Sequence, residues 1–284
     1  MQVQGDVSGA GDTRDVDAGL TFIVPQDEKP VFHSAAYTGA EPKVFFEVEK
    51  RQVRIADIRH REPPTTIERE GFELLSFDTA VEDLYDDEAI EKAYGPEVEA
   101  LLKERFGASR VVIFDVTRRA DTGDGAANPD GRRGPATRVH VDYTFKSGPQ
   151  RLRDTLGDAE AERLLASGAR VLQVNVWRPI KGPVRRSPLA LADASSVAEE
   201  ELVATDQVFP GRVGEIFQVA YGAGQRWYYA SDMRRDEVFL IKGWDSADKT
   251  TRQFAPHGAF ELPNTPADAP ARESIEVRTF VIVE

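Results

Sequence analysis

The order of apolar and polar positions divides the chain into a first part that mixes strand and helix periods and a second part dominated by strands. Residues 1–17 show no apolar periodicity and read as a disordered tail. A strand-like run at 20–24 opens the folded part, and Pro25 stops it. Across 43–59 apolar residues alternate with polar ones (Val44, Phe46, Val48, then Val53, Ile55, Ile58), the period of a hairpin, until Pro63 and Pro64 break it. From 79 to 106 the apolar positions recur every three or four residues, through Val81, Leu84, Ile90, Tyr94, Val98, Leu102 and Phe106. This predicts two amphipathic helices interrupted near Gly95 and Pro96, with Gly107 as the closing cap.

Residues 110–117 (RVVIFDVT) follow as a buried strand, and 121–135 (DTGDGAANPDGRRGP) predict a long loop of the kind that forms a lid over a site. Strands are then expected at 137–145, 170–177, 215–221, 226–230, 238–242 and 274–283, with helices at 150–167 and 197–204. The pattern is that of a mainly β chain with added helices (α+β). A helical and strand-bearing section, 18–118, leads into a barrel or sandwich core, 136–284, within one domain spanning 18–284.

Composition narrows the chemistry. The chain has 284 residues and no Cys, which removes disulfides, thiolate ligands and thiol nucleophiles and leaves His and carboxylates as the only metal donors. A net charge of -13, with no dense basic stripe to offset it, argues against a nucleic-acid partner. No apolar run approaches the ~20 residues needed to cross a bilayer, so no membrane partner is expected. The N-terminus lacks a basic-then-apolar leader, so the expected location is the cytoplasm. The acidic total describes only the average field and leaves room for a local basic pocket that takes a small acidic ligand.

The chemistry gathers at two of the four histidines, His33, His60, His140 and His257. On a strand through 137–145, side chains alternate faces, so His140, Asp142 and Thr144 share one face while Val139, Val141, Tyr143 and Phe145 share the other. Alone, a His-x-Asp pair is often a solvated ion pair. His257, between Pro256 and Gly258 in Phe254-Ala255-Pro256-His257-Gly258, is the leading third ligand, and the set makes the two-His, one-carboxylate triad of non-haem iron(II) oxygenases. On the last strand Arg272, Ser274, Glu276 and Arg278 share a face. A guanidinium pointing into a barrel can fork onto a carboxylate, and 2-oxoglutarate is the natural candidate. Arg272 with Ser274, or Arg278, would anchor it, whereas the bland reading of Arg278 is a salt bridge such as one to Glu276.

At this point the chain resembles the AsaB/CmcJ-like hydroxylases and desaturases of secondary metabolism, from about Val53 to the C-terminus. The matching stretches, in order, include Asp57-Ile58-Arg59, Tyr94-Gly95-Pro96-Glu97, His140-Val141-Asp142, Asn175-Val176-Trp177-Arg178-Pro179, Trp227-Tyr228-Tyr229, Pro256-His257-Gly258-Ala259-Phe260 and Arg272-Glu273-Ser274-Ile275-Glu276-Val277-Arg278. The resemblance implies a double-stranded β-helix (jelly-roll, cupin-like) barrel. It also implies an iron(II)/2-oxoglutarate-dependent dioxygenase that hydroxylates or desaturates a small secondary-metabolite or amino-acid-like substrate with dioxygen, releasing succinate and carbon dioxide.

It carries the iron ligands onto His140, Asp142 and His257, and co-substrate binding onto one or both of Arg272 and Arg278. Asn175 and Arg178 are implied near the site, although their spacing puts them on opposite faces of a regular strand. Tyr228, Tyr229 and Lys242 also match family positions; strand aromatics are usually core, and Lys242 reads as a solvated strand end. The Gly/Asp-rich segment 121–135 departs from the family pattern and leaves the substrate open. Two rival readings remain: a zinc-type hydrolase on the same triad with Glu276 as base, and a non-catalytic barrel that binds a small acid.

Overall fold

The computed structural model describes residues 14–38, 42–129 and 131–284. The expected tail lies outside the described residues as far as residue 13, while Val16 and Asp17, assigned to that tail, already belong to the first strand. Pairing with a long hairpin partner orders them: Val16 sits opposite Ile55 and Asp17 opposite Arg54.

The strands form two large sheets. The first has ten, in the spatial order β1 (Val16–Ile23), β4 (Val48–Asp57), β14 (Trp227–Tyr229), β11 (Leu189–Ala192), β16 (His257–Ala259), β9 (His140–Val141), β13 (Arg212–Val219), β12 (Leu202–Phe209), β2 (Val31–His33) and β3 (Lys43–Val44). The second has five, in the order β5 (Phe72–Ser76), β15 (Glu237–Asp245), β10 (Arg170–Pro179), β17 (Glu273–Val283) and β6 (Arg110–Ala120), all antiparallel. A separate hairpin pairs β7 (Ala126–Asn128) with β8 (Gly131–Arg133).

The two sheets face each other across a buried cluster of Phe72, Trp177, Leu191, Tyr228, Phe239 and Ile241. Alternation along β10 sorts its residues: Val174 and Val176 point outwards, with Leu240, Ile275 and Val277, onto a helix that contributes Tyr94, Val98 and Leu102. Gln173, Asn175 and Trp177 point inwards. A run of β-branched and aromatic residues buried on both faces is what a central strand needs.

Several local expectations change. Residues 79–84 are not helical, and Gly95 and Pro96 do not break the helix that follows. A turn at Asp87–Ala89 runs through a π-helical segment, Ile90–Tyr94, into an α-helix at Gly95–Phe106. Pro96 has no N–H to give the carbonyl four residues back, and the wider turn before it, where Gly95 N–H reaches the Ile90 carbonyl, absorbs that loss without stopping the chain. Gly107, at φ 61°, closes the helix as expected.

The helix expected at 150–167 splits at Gly157 into Ser147–Leu156 and Asp158–Ser167. The helix expected at 197–204 is replaced by one 3-10 turn, Glu199–Glu201, and the start of β12; its Glu-rich helical propensity yields to an eight-residue ladder with β13. The loop expected at 121–135 contains the β7–β8 hairpin. Among the described residues no helix is long and apolar enough to cross a membrane.

Candidate active site

The strand expected at 137–145 pairs as β9 over only His140 and Val141. Its flanks stay tied to neighbours: Val139 N–H donates to the Thr21 carbonyl at 2.9 Å, and its own carbonyl accepts from Val219 N–H at 3.2 Å. β9 lies between β13 and β16, and the register sets His257 directly opposite His140, with ring centroids 4.6 Å apart. Gly258 is needed there, because a Cβ would lie 3.3 Å from the Val139 Cα. Asp142 follows one turn of alternation later, and the donor atoms of His140, Asp142 and His257 all lie within 4.8 Å of one another.

Both imidazoles are held in the same way. His140 Nδ1 lies 2.8 Å from the Arg138 carbonyl and His257 Nδ1 lies 3.0 Å from the Ala255 carbonyl, each two residues back. A carbonyl can only accept, so each Nδ1 carries the proton and each Nε2 is left with a lone pair. Burial, then the closeness of His257, pulls the His140 imidazole down to about 3 against the attraction of Asp142, so the ring stays neutral and able to ligate.

Asp142 accepts from Asn175 Nδ2 at 2.7 Å and lies 3.5 Å from Arg278 Nε. Burial alone would raise its carboxyl, but Arg278 foremost, then the two imidazoles and the Asn175 hydrogen bond, hold it below the ordinary carboxylate range. Two imidazoles with Nε2 left unbonded beside one carboxylate form a donor set that suits a divalent metal.

The remaining candidates separate by face. Arg278 is engaged on several sides, 2.7 Å from Glu276, 3.0 Å from Asp115 and 3.5 Å from Asp142. Arg272 is buried over the Trp177 ring at 5.6 Å; its Nη1 donates to the Ser187 carbonyl at 2.9 Å, while Nε and Nη2 have no partner. Burial and the nearby charge of Arg119 lower its guanidinium to about 10. Ser274 is buried two residues on, and Tyr228, also inward, accepts a hydrogen bond from Arg61 at 3.0 Å.

Arg178 is the correction. It lies on the outer face of β10, stacked on Tyr94 and donating to the carbonyls of Phe77 and Arg235, so its spacing from Asn175 turns it away from the interior. Tyr229 likewise faces the cluster of Trp227 and Phe260 rather than the site. Lys242 is buried, not a solvated strand end, with its ammonium lowered by that burial.

A cavity of about 980 Å³ opens beside His140, Asp142 and Arg278. Residues 132–135 of the Gly-rich segment line it, as a segment over the mouth should. Sequence reasoning missed Arg119, Asp115, Arg138, Arg151 and Arg212, which reach this space from four separate stretches of chain. The alternation of β6 could have flagged Arg119 and Asp115 had the strand been expected to run on to Ala120.

A family model described as an oxidoreductase/YMDC permease-like domain matches residues 20–282. The chain is 32% identical over 242 residues to the alpha-ketoglutarate-dependent dioxygenase phiK of Fungal sp. (strain ATCC 74256), covering 83% of this chain and 85% of that one. It is 33% identical over 254 residues to the hydroxylase/desaturase efuI of Hormonema carpetanum, covering 82% and 83%. Among solved structures it resembles the iron and alpha-ketoglutarate-dependent endoperoxidase NvfI, with a TM-score of 0.82 and 29% identity over 95% of this chain and 98% of that one.

Proposed function

The chain belongs to the AsaB/CmcJ-like hydroxylase/desaturase family of iron(II)/2-oxoglutarate-dependent oxygenases, and from that membership we propose that His140, Asp142 and His257 hold the iron while Arg272 and Ser274 receive the distal carboxylate of 2-oxoglutarate. When bound, the iron supplies the redox chemistry of the family, the use of dioxygen to hydroxylate or desaturate a small secondary metabolite as 2-oxoglutarate is converted to succinate and carbon dioxide.

The observation that carries the assignment is the donor set. Two imidazoles pinned by backbone carbonyls offer Nε2 lone pairs next to one ionised carboxylate, within 4.8 Å. Asn175 and Arg278 do not need to touch the metal: they keep Asp142 oriented and deprotonated. Arg272 is the better carboxylate anchor of the two arginines because it forms no ion pair among the described residues and two of its donors have no partner, whereas Arg278 is ion-paired with Asp115, Glu276 and Asp142. Glu276, the base a zinc hydrolase would need, is committed to Arg278 at 2.7 Å. The two facing sheets are then read as the sides of a double-stranded β-helix, with the helix Gly95–Phe106 packed outside one of them.

Anaerobic protein loaded with iron(II) should develop a visible absorbance band when 2-oxoglutarate is added, and release succinate once air is admitted. Protein that binds iron but gives neither would overturn the assignment.

A further inference from the structure

We propose that the cavity beside His140 and Asp142 takes a substrate with an acidic group on an apolar, ring-bearing body, and that Arg151 and Arg212 receive the acid. This rests on the iron and co-substrate sites proposed above and adds the class of molecule that meets them.

The chain is acidic overall, with 49 Asp and Glu against 36 Lys and Arg, so a basic residue rarely lacks a partner. Elsewhere buried or half-buried arginines pair closely: Arg59 with Glu237, Arg105 with Glu73 and Arg170 with Asp245, each at 2.7 Å. The cavity reverses this balance. Among the described residues, nine Lys and Arg line it against five Asp and Glu.

Those five acids are already committed. Asp206 and Glu215 both take Lys29, Asp115 takes Arg278 at 3.0 Å, Asp154 accepts from Gln150 at 2.9 Å, and Asp142 is the proposed ligand. Arg138, Arg151 and Arg212 form no ion pair among the described residues and stack on rings instead. Arg138 lies 5.3 Å from Phe32 and 5.8 Å from Phe46, Arg151 is 5.6 Å from Phe114, and Arg212 is 3.9 Å from Phe209. The Nε of Arg138 is buried with no partner, and Arg151 reaches the Tyr143 hydroxyl beside its ring.

Arg151 and Arg212 also crowd each other. The Arg212 guanidinium is lowered by burial and then by the like charge of Arg151, and the opposing pull of Asp154 and Asp115 does not outweigh them. Two cations held together this way favour the arrival of an anion, which each can bind through a planar fork. The rings that carry the arginines give the rest of the ligand an apolar surface. Arg272 and Ser274 do not line this cavity, so substrate and co-substrate anions have separate receivers.

The test uses 8-anilinonaphthalene-1-sulfonate and its uncharged relative N-phenyl-1-naphthylamine, titrated by fluorescence into iron-free protein. The anionic dye should bind with one-to-one stoichiometry, at least tenfold tighter than the neutral one, and weaken with salt. In the Arg151→Gln/Arg212→Gln double variant its affinity should fall on the order of tenfold, the loss expected for charge-assisted hydrogen bonds. Neutral-dye binding and the melting temperature should not move, and Arg151→Lys/Arg212→Lys should recover part of the loss. Equal binding of both dyes, no change in the double variant, or displacement of the anionic dye by 2-oxoglutarate would each overturn the proposal. Succinate release without substrate reads the iron site separately, so either reading can fail without the other.

Discussion

On β10, Asn175 and Arg178 stand three residues apart and face opposite ways, and each typifies its side of the sheet. Arg178 lies on the outer face, fully buried, stacked on Tyr94 and donating to the main-chain carbonyls of Phe77 and Arg235. Around it are Val174, Val176, Leu240 and Val277, packed on the helix. Asn175 lies on the inner face, where its amide reaches Asp142, and its neighbours across the sheet are polar: Arg278, Glu276 and Asp115. Both faces contain buried cations. The outer one donates to backbone carbonyls and stacks on rings away from the cavity, and serves stability; on the inner face Arg272 keeps Nε and Nη2 without partners, and that reserve is what a ligand can use.

The widest separation of the two faces comes from Asp142→Ala. Turnover should be lost outright, measured as succinate release with saturating iron, while the melting temperature of the iron-free protein falls only in part, as Arg278 and the Asn175 amide lose one partner. Retained turnover would remove Asp142 from the metal. Next come the two arginines compared directly. Arg178→Met should lower unfolding free energy by roughly 1–3 kcal/mol, since carbonyls of Phe77 and Arg235 lose their donor, with KM for 2-oxoglutarate unchanged. Arg272→Gln should do the reverse, raising that KM on the order of tenfold with little change in stability. If the two variants shifted the same quantity, the division between faces would not hold.

The smallest effect is the pH response of the inner face. His140 is pulled from its ordinary 6.5 to about 3 by burial first, so below 6.5 the unfolded chain takes up a proton that the folded chain refuses. Stability of the iron-free protein should therefore fall as pH drops from 6.5 towards 3, with His140 contributing up to about 1.4 kcal/mol per pH unit. Between pH 6.5 and 5, above the range of ordinary carboxylates, His140→Leu should flatten the slope in denaturant titrations. An unchanged slope would mean that His140 titrates freely.

Alternation along the chain foretold which residues of a strand keep company. It put His140 beside Asp142, aligned Arg272, Ser274 and Arg278, and warned that Asn175 and Arg178 could not both face inwards. These relations survive even where a strand pairs over only two residues, as β9 does, because side-chain direction depends on local backbone and not on ladder length. Local signals failed where tertiary pairing overruled them. Residues 197–204 carry helical propensity, but from Leu202 the chain enters the β12 ladder, and Lys242 at the end of a short apolar run is covered because β15 continues to Asp245.

By itself the sequence determined the donors: with no cysteine, a metal centre here must be built from His and carboxylate, and the His140–Asp142 spacing aims two of them at one point. Only the tertiary structure decided that His257 stands opposite His140, that Arg278 is ion-paired with three acids while Arg272 has two donors without a partner, and that Arg138, Arg151 and Arg212 line one cavity with no ion pair among the described residues. Register between distant strands is a property of the whole sheet. It is set by burial summed over both faces, and no local window of the chain contains it.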